Sequence, residues 1–165
     1  MKKQLAAATF LGSVAVAAVG GSQFNPTPGT ETGDWYEGLE KSSLNPPKEV
    51  FAPVWTTLYA AMALSGYRIW SARRGKARTA TLRLWFAQLG VNAAWSPLFF
   101  GAKQPVLSLI DLTALVGLQA AYMNKARKVD AIAAWLFVPY VAWVGFAGFL
   151  NAEVVRRNRS AGTEA

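Results

Sequence analysis

The chain of 165 residues contains no cysteine and no histidine. Without cysteine it forms no disulfide and has no thiol nucleophile, and the two absences together remove the usual ligands of structural zinc and most axial ligands of haem iron. Histidine is also the side chain best suited to proton transfer near neutral pH. We therefore expect no metal site and no acid–base catalyst, and no motif in the chain requires a cofactor.

Charged residues are scarce as well. They make up 16% of the chain, and hydrophobic residues make up 53%, whereas soluble domains carry about 25% charged residues. The charges gather in short clusters between apolar runs of roughly the 20 residues that a bilayer requires. We predict a single-domain, all-α membrane protein, a bundle of five transmembrane helices. The predicted spans are residues 4–21, 49–70, 81–100, 106–123 and 131–155, with a long loop at 22–48.

Basic residues flank the predicted spans and give a net charge of +8. This arrangement follows the positive-inside rule, so the predicted partner is the lipid bilayer and no nucleic-acid partner is expected. The side with the N-terminus carries eleven Lys and Arg, against six on the side with the long loop. The rule therefore predicts a cytoplasmic N-terminus, although the arginines near the C-terminus argue for the reverse.

The first apolar run, residues 4–21, allows two interpretations. A basic start, an apolar stretch and then small residues are typical of a cleaved signal peptide, but the run is also long enough to be the first span. Small residues at every fourth position would let this face pack closely against other helices. They are Ala8, Gly12, Val16 and Gly20.

Aromatic residues and prolines are densest in residues 35–59, WYEGLEKSSLNPPKEVFAPVWTTLY. Pro46 and Pro47 suit the start of a helix, where a missing N–H does no harm. Trp55 and Tyr59 then share one face of the following helix. We predict a loop that folds over a pocket and leads into a helix that lines it.

The predicted third span has two unlike faces. One face carries two amides and two aromatic rings: Gln88, Asn92, Trp95 and Phe99. The opposite face is nearly bare backbone, and it fits either a homodimer contact or packing inside the monomer: Gly90, Ala94, Pro97 and Gly101. Amides beside rings either join helices or orient the polar edge of an apolar ligand. Pro97 is expected to kink or end the helix.

We interpret the other polar and aromatic residues by how far inside a predicted span each one lies. Asp111 is the one acid well inside a predicted span, either bonded to a neighbouring helix near the surface or functional in the pocket. Trp35, Trp70 and Trp85 are interpreted as part of the aromatic belt at the membrane surface, a common place for tryptophan. Trp55 and Trp143 lie deeper in their predicted spans, each on one distinct face of its helix, so we interpret them as pocket walls. No catalytic constellation of side chains is present.

Three segments resemble the translocator protein family, also called the tryptophan-rich sensory protein or peripheral benzodiazepine receptor family. They are WYEGLEKSSLNPPKEVFAPVWTTLYAAM, AQLGVNAAWSPLFFGAKQ and FVPYVAWVGFAGFLN, in the family's order. The resemblance implies a five-helix bundle in a bacterial cell membrane, usually a homodimer, with an uncleaved first span. It also implies binding of a tetrapyrrole such as protoporphyrin IX.

The resemblance further implies the site residues. Pocket positions of the family match Tyr36, Asn92, Trp95, Phe99 and Ala147. Tryptophans proposed to drive light-dependent porphyrin breakdown in the family match Trp55 and Trp143. With the residues chosen from spacing, the predicted ligand-binding set is Tyr36, Trp55, Tyr59, Gln88, Asn92, Trp95, Phe99, Asp111, Trp143 and Ala147.

Three functions stay open at the level of sequence. The first is a porphyrin receptor that regulates pigment or stress responses, and the second is an enzyme that degrades porphyrin photochemically. The third, a transporter, lacks the inverted repeats that many transporters show. Lys41, Lys48 and Lys103 lie on the loop side and are candidate partners for porphyrin carboxylates.

Two positions depart from the family pattern, which reads KPSWNPP where this chain has KSSLNPP. Ser42 and Leu44 replace a proline and a tryptophan, so we expect a looser loop lid. The sterol motif near the end of the fifth span lacks its tyrosine between Leu150 and Arg156, so we predict no specific cholesterol binding.

Overall fold

The computed structural model describes residues 2–159, and every regular element in that range is a helix. The elements are α1 (Lys3–Ser22), α2 (Glu31–Gly38), α3 (Lys48–Ser71), α4 (Lys76–Ser96), a π-helical turn (Pro97–Gly101), α5 (Pro105–Ala126), α6 (Ala131–Trp135) and α7 (Val138–Arg157). The all-α class predicted from the sequence is confirmed.

Within residues 2–159, three helical stretches are long and apolar enough to cross a membrane. They are Lys3–Ser22, Pro105–Ala126 and Ala131–Arg157. Helices α3 and α4 also have the length, with 24 and 21 residues, but charged residues such as Lys76, Arg78 and Arg83 occupy α4. The chain is an integral membrane protein with three strongly apolar helices.

Several boundaries differ from the prediction. The predicted loop at 22–48 contains the helix α2, and the predicted span 131–155 is broken after Trp135 into α6 and α7. Helix α4, which contains the predicted third span, begins at Lys76 and not at residue 81. Charged residues end an apolar stretch in the sequence, but they do not end a helix. As expected, Pro97 ends α4 and opens the π-helical turn.

The five long helices pack in the order α3, α1, α4, α5, α7. Helices α3 and α7 meet over only a few residues, so the bundle is nearly open along the boundary that we call the α3/α7 seam. The seam is closed at one end by α6. There Ser65 Oγ donates to the Ala133 carbonyl at 2.6 Å and lies 2.6 Å from the Tyr122 hydroxyl.

The small-residue face predicted for α1 is not the face that packs in the bundle. Its buried residues are Ala6, Phe10, Val14 and Ala17. The predicted small-residue face (Ala8, Gly12, Val16, Gly20) is exposed within one chain, so that interpretation is wrong for the single bundle. Close approach is provided by Gly66 on α3, where a Cβ would lie 2.6 Å from the Phe10 ring and 2.7 Å from the Trp85 ring.

Trp85 belongs to the core and not to the membrane-surface belt. Its side chain has no exposed area, its Nε1 donates to the Met62 carbonyl at 3.0 Å, and Phe10 meets its ring edge-on at 4.9 Å. Burial of the whole indole is possible because this one bond satisfies its only polar atom. The belt interpretation of Trp85 is therefore wrong.

Candidate functional site

The long loop folds into a cover that we call the lid, residues 30–47. Thr30 starts α2 as its N-cap, since its Oγ1 accepts a hydrogen bond from the Gly33 amide at 3.1 Å. Acidic side chains at Glu31 and Asp34 in the first turn suit the positive end of the helix dipole. Thr30 and these two acids were the sequence signal for α2.

Aromatic packing holds the lid on the π-helical turn. The lid contributes Trp35, Tyr36 and Leu39, which pack on Phe99, Phe100 and Val154. The Tyr36 ring meets Phe100 at 5.4 Å and Phe99 at 6.4 Å between centroids. The extra residue of a π-helical turn lets two consecutive phenylalanines both point inward, and such turns recur at functional sites.

Polar contacts attach the lid on both sides of α2. Lys103 forms an ion pair with Glu31, and its hydrogen bond and charge lower the pKa of the Glu31 carboxyl. Just after α2, Asn158, the C-cap residue of α7, accepts from the Glu40 amide at 3.1 Å and donates to the Glu40 carbonyl at 3.0 Å. The lid therefore bridges the start of α5 and the end of α7.

Two of the three lysines proposed for porphyrin carboxylates already have partners. Besides Lys103, Lys41 donates to the Leu39 carbonyl at 3.0 Å and lies over the Tyr36 ring at 4.6 Å. Burial lowers the pKa of the Lys41 ammonium. Lys48, the first residue of α3, is exposed and forms no ion pair within residues 2–159.

The two family departures lie in one turn of the lid. Ser42 is buried, and its Oγ accepts a hydrogen bond from the Leu44 amide at 3.2 Å. The Leu44 side chain is 62% exposed and packs on little. The hydrogen bond between Leu44 and Ser42 lies within this turn and does not itself attach the lid to the bundle. A looser lid stays a prediction.

Beneath the lid, Trp95 joins α4 to α7. Its ring stacks on Phe99 at 5.0 Å, and its Nε1 donates to Asn151 Oδ1 at 3.2 Å. Asn151 also accepts from Ser108 Oγ at 2.9 Å and donates to the Pro105 carbonyl at 2.8 Å. Asn151 lies eight residues after Trp143 and so shares its helical face, but this spacing does not reveal that Asn151 holds Trp95.

The α3/α7 seam is lined by aromatic side chains from both helices. From α3, Trp55 lies 5.4 Å from Tyr59, and it reaches across to Tyr140 of α7 at 6.2 Å. The Tyr59 hydroxyl donates to Asn92 Oδ1 at 3.0 Å, which brings α4 into the same site. Trp55 and Tyr59 remain half-buried, with part of each ring free.

Trp143 lies farther along the same seam. Its ring meets Phe51 of α3 at 5.8 Å and Phe146 at 5.9 Å. Ala147 follows one helical turn later and is half-buried. The two tryptophans proposed as a pair, Trp55 and Trp143, therefore line one seam but contact different partners.

One predicted site residue, Gln88, lies away from the seam, and another, Asp111, lies on α5 near Tyr140. Gln88 is fully buried, and its Nε2 donates to the Trp85 carbonyl at 3.0 Å and to the Met62 sulfur at 3.4 Å. Those bonds place Gln88 in the contact between α3 and α4. Asp111 is half-buried on α5, and its Oδ2 is shielded with no hydrogen-bond partner among the residues that the structure describes.

The structure adds three residues that the sequence reasoning missed. Tyr140 and Phe51 complete the aromatic rows of the seam. Gln119 is fully buried on α5, and neither polar atom of its side chain has a partner within residues 2–159. Tyr140 and Gln119 were detectable by helical spacing, three residues before Trp143 and eight after Asp111.

A sequence model of the TspO/MBR family matches residues 10–157 of this chain. The chain belongs to the TspO/MBR family. The resemblance seen in three motifs is thereby confirmed, and the match covers the lid, the seam, α1 from Phe10 onward and the other four long helices in full.

Curated proteins of both animals and bacteria are similar to this TspO/MBR chain. A translocator protein of Sus scrofa is 44% identical over 127 residues, 76% of this chain and 75% of its own. A tryptophan-rich sensory protein of Cereibacter sphaeroides is 35% identical over 150 residues, 91% and 89% of the two chains. The tryptophan-rich protein TspO of Chlorobaculum tepidum is 34% identical over 160 residues, 96% and 99%.

Proposed function

We propose that this chain is a membrane receptor with five transmembrane helices that binds a porphyrin, such as protoporphyrin IX, in the α3/α7 seam. The observation that carries the proposal is that two helices which meet over only a few residues bring half-buried rings of α3 against the half-buried Trp143 and the buried Tyr140 of α7. A large, flat, mostly apolar macrocycle suits such walls, because rings stack on it and a few polar groups orient its edge. Binding would regulate pigment or stress responses.

Polar groups at the seam support the same ligand. Tyr59 and Asn92 offer a hydroxyl and an amide to the polar edge of a macrocycle. Lys48 is exposed at the lid end of α3, one turn before Phe51, and offers a cation to a propionate. A bacterial cell membrane with the N-terminus in the cytoplasm, and a homodimer, complete the proposal.

Fluorescence titration of the purified protein with protoporphyrin IX tests the site. We expect quenching of tryptophan emission, with the affinity reduced roughly two- to tenfold in Trp55→Leu and in Trp143→Leu, as loss of a stacked ring predicts. Trp70→Leu is the matched control, since Trp70 stacks on Tyr67 at the other end of α3. Unchanged affinity in both seam variants would refute the assignment.

Light-driven breakdown of the bound porphyrin is the second candidate. Trp55 and Tyr59 are half-buried oxidisable rings on the wall that the macrocycle would touch, and Trp55 contacts the buried ring of Tyr140 behind that wall. The reaction would consume dioxygen as oxidant under illumination. Loss of the Soret band under light should then depend on protein and slow in a Trp55→Phe, Trp143→Phe double variant. Equal loss without protein would reject it.

A further inference from the structure

A second concave site lies at the end of the bundle away from the lid. It is a groove of about 320 Å³ between the last turns of α5 and the chain from α6 into α7. Its lining residues are Met123, Asn124, Arg127, Ala131, Ala134, Trp135 and Val138. This volume is at the lower end of the roughly 300–1,000 Å³ of small-molecule sites. We call it the α5/α6 groove.

The groove is apolar and open to the surroundings of the bundle. Nearly all of its lining surface is carbon or sulfur, and the Trp135 and Ile132 side chains beside it are 72% and 56% exposed. An exposed apolar patch on a membrane protein at the end of an apolar helix faces lipid. Trp135 stands where α6 breaks from α7, a position typical of tryptophan at the membrane–water boundary.

Arg127 lines this groove, and two further basic residues lie beside it in the sequence. Lys125, Arg127 and Lys128 are all exposed, and none forms an ion pair in the part of the chain that the structure describes. The neighbouring acid, Asp130, is already engaged. It pairs with Arg68 at 2.9 Å and accepts the Ala133 amide at 2.9 Å, so it does not neutralise these cations.

We propose that the α5/α6 groove binds an anionic phospholipid of the bilayer. One acyl chain lies along Met123, Trp135 and Val138, and the headgroup phosphate is held by Arg127 and Lys128. The apolar lining disfavours a water-soluble anion, and the cluster of like charges disfavours a second copy of the same surface. Basic clusters between helices on the cytoplasmic side commonly take anionic headgroups, and this end of the bundle is the basic-rich one.

Quenching by brominated lipids tests the proposal in reconstituted, full-length protein. Vesicles of phosphatidylcholine would carry equal mole fractions of dibrominated phosphatidylglycerol, dibrominated phosphatidylcholine or dibrominated fatty acid. The fluorescence of Trp135 is obtained as the difference between the emission of the wild type and that of Trp135→Phe. We expect the brominated phosphatidylglycerol to quench this signal at lower mole fraction than the other two lipids.

Charge and shape variants separate the site from general attraction to an anionic surface. Arg127→Gln with Lys128→Gln should reduce the relative affinity for phosphatidylglycerol roughly 30-fold, at about fivefold per charge. Arg73→Gln with Arg74→Gln removes two exposed charges from the neighbouring connection and should leave most of the preference. Ala131→Leu adds apolar volume in the groove without changing charge, and it should weaken quenching by all chain-bearing lipids.

Three results would overturn the proposal. Equal quenching by brominated phosphatidylglycerol and phosphatidylcholine would show no headgroup recognition. An equal loss in the Arg73, Arg74 control variant would assign the preference to net charge alone. Quenching by brominated fatty acid that matches phosphatidylglycerol would show that a single anionic chain is the ligand.

Discussion

Single buried hydroxyl and amide groups decide which helices meet in this bundle. Ser65 joins α3 to Tyr122 of α5 and to the first turns of α6, and Asn151 joins α7 to Trp95 and to the start of α5. In a membrane the apolar surfaces of helices gain little by leaving lipid, so packing and such polar bonds determine the pairing. Ser65 closes the seam at one end, and Asn151 supports Trp95 below the lid at the other.

Ser65→Ala is predicted to destabilise the bundle. The Ser65 hydroxyl accepts from Tyr122 because it donates to the Ala133 carbonyl, so its loss leaves two buried groups without this partner. Buried groups left unpaired cost about 1–3 kcal/mol. The free energy of unfolding in detergent, measured by denaturant titration, should fall by that amount. Ser13→Ala removes a hydroxyl bonded only to its own helix, at Thr9, and an equal loss there would contradict the prediction.

At the scale of elements, the lid differs from the helices that it covers. It is a short helix held by aromatic packing on the π-helical turn and by two polar attachments, Glu31 to Lys103 and Glu40 to Asn158. Both attachments are exposed, whereas the contact of its rings with Phe99 is buried. The lid is therefore the element whose closure solvent conditions can change most easily.

The lid is predicted to loosen in acid. The pKa of Glu31 is lowered from its ordinary 4.5 by its hydrogen bond and charge interaction with Lys103. Because the folded pKa is the lower one, the contribution to lid closure is complete above about pH 4.5 and is lost as the pH falls through the folded value. The fluorescence of Trp35, measured as the difference between the wild type and Trp35→Phe, should change in a transition as the pH is lowered.

Glu31→Gln should remove that transition, and high salt should weaken it because the pair is exposed. Asp34→Asn is the matched control in the same helical turn, since Asp34 forms no ion pair within residues 2–159. If Asp34→Asn abolishes the transition as fully as Glu31→Gln, the helix dipole and not the Lys103 pair is responsible.

At the scale of the whole molecule, the small-residue face of α4 divides into two parts. A Cβ on Gly101 would lie 2.8 Å from the Phe24 ring, so the end near the lid packs within the chain. A Cβ on Gly90 would meet nothing within 4 Å, and Gly90 is exposed. Packing within the monomer accounts for the end of this face at Gly101, and the homodimer contact stays a proposal for the half around Gly90.

Gly90→Leu is predicted to dissociate the dimer without unfolding the monomer. A leucine there holds two backbones apart where glycine lets them approach closely. The dimer dissociation constant should rise at least about tenfold, equal to 1.4 kcal/mol, as measured by native mass spectrometry or by cross-linking across dilution. Thermal unfolding should stay unchanged, since the new side chain meets open space.

The matched control for Gly90 is Gly145→Leu on α7, where an added Cβ also meets nothing within 4 Å. That variant changes the lipid-facing surface in the same way but on a different helix. Cross-linking that Gly90→Leu leaves intact would assign the open face to lipid, and loss of the dimer in Gly145→Leu would place the interface on α7.

The sequence alone determined the helical membrane class, the family and most of the residues that line the seam. These properties are local, because hydropathy, the prolines before α3 and motifs such as PVWT and PYVAW are properties of neighbouring residues. Helix boundaries were less well determined. The helix α2 was missed because its signal is a capping threonine and two acids, which in a polar loop resemble turn residues.

Only the tertiary structure decided which face of each helix meets which neighbour. The sequence indicated a membrane-surface position for Trp85 and a pocket wall for Trp55, but it gave no sign that Gly66 opens room for the Trp85 ring while α7 leaves Trp55 half-buried. The same holds for α1, whose predicted small-residue face (Ala8, Gly12, Val16, Gly20) points outward. The spacing of residues along the sequence identifies one face of a helix. Whether that face is buried depends on the shape of the neighbouring helix, which is distant in the sequence.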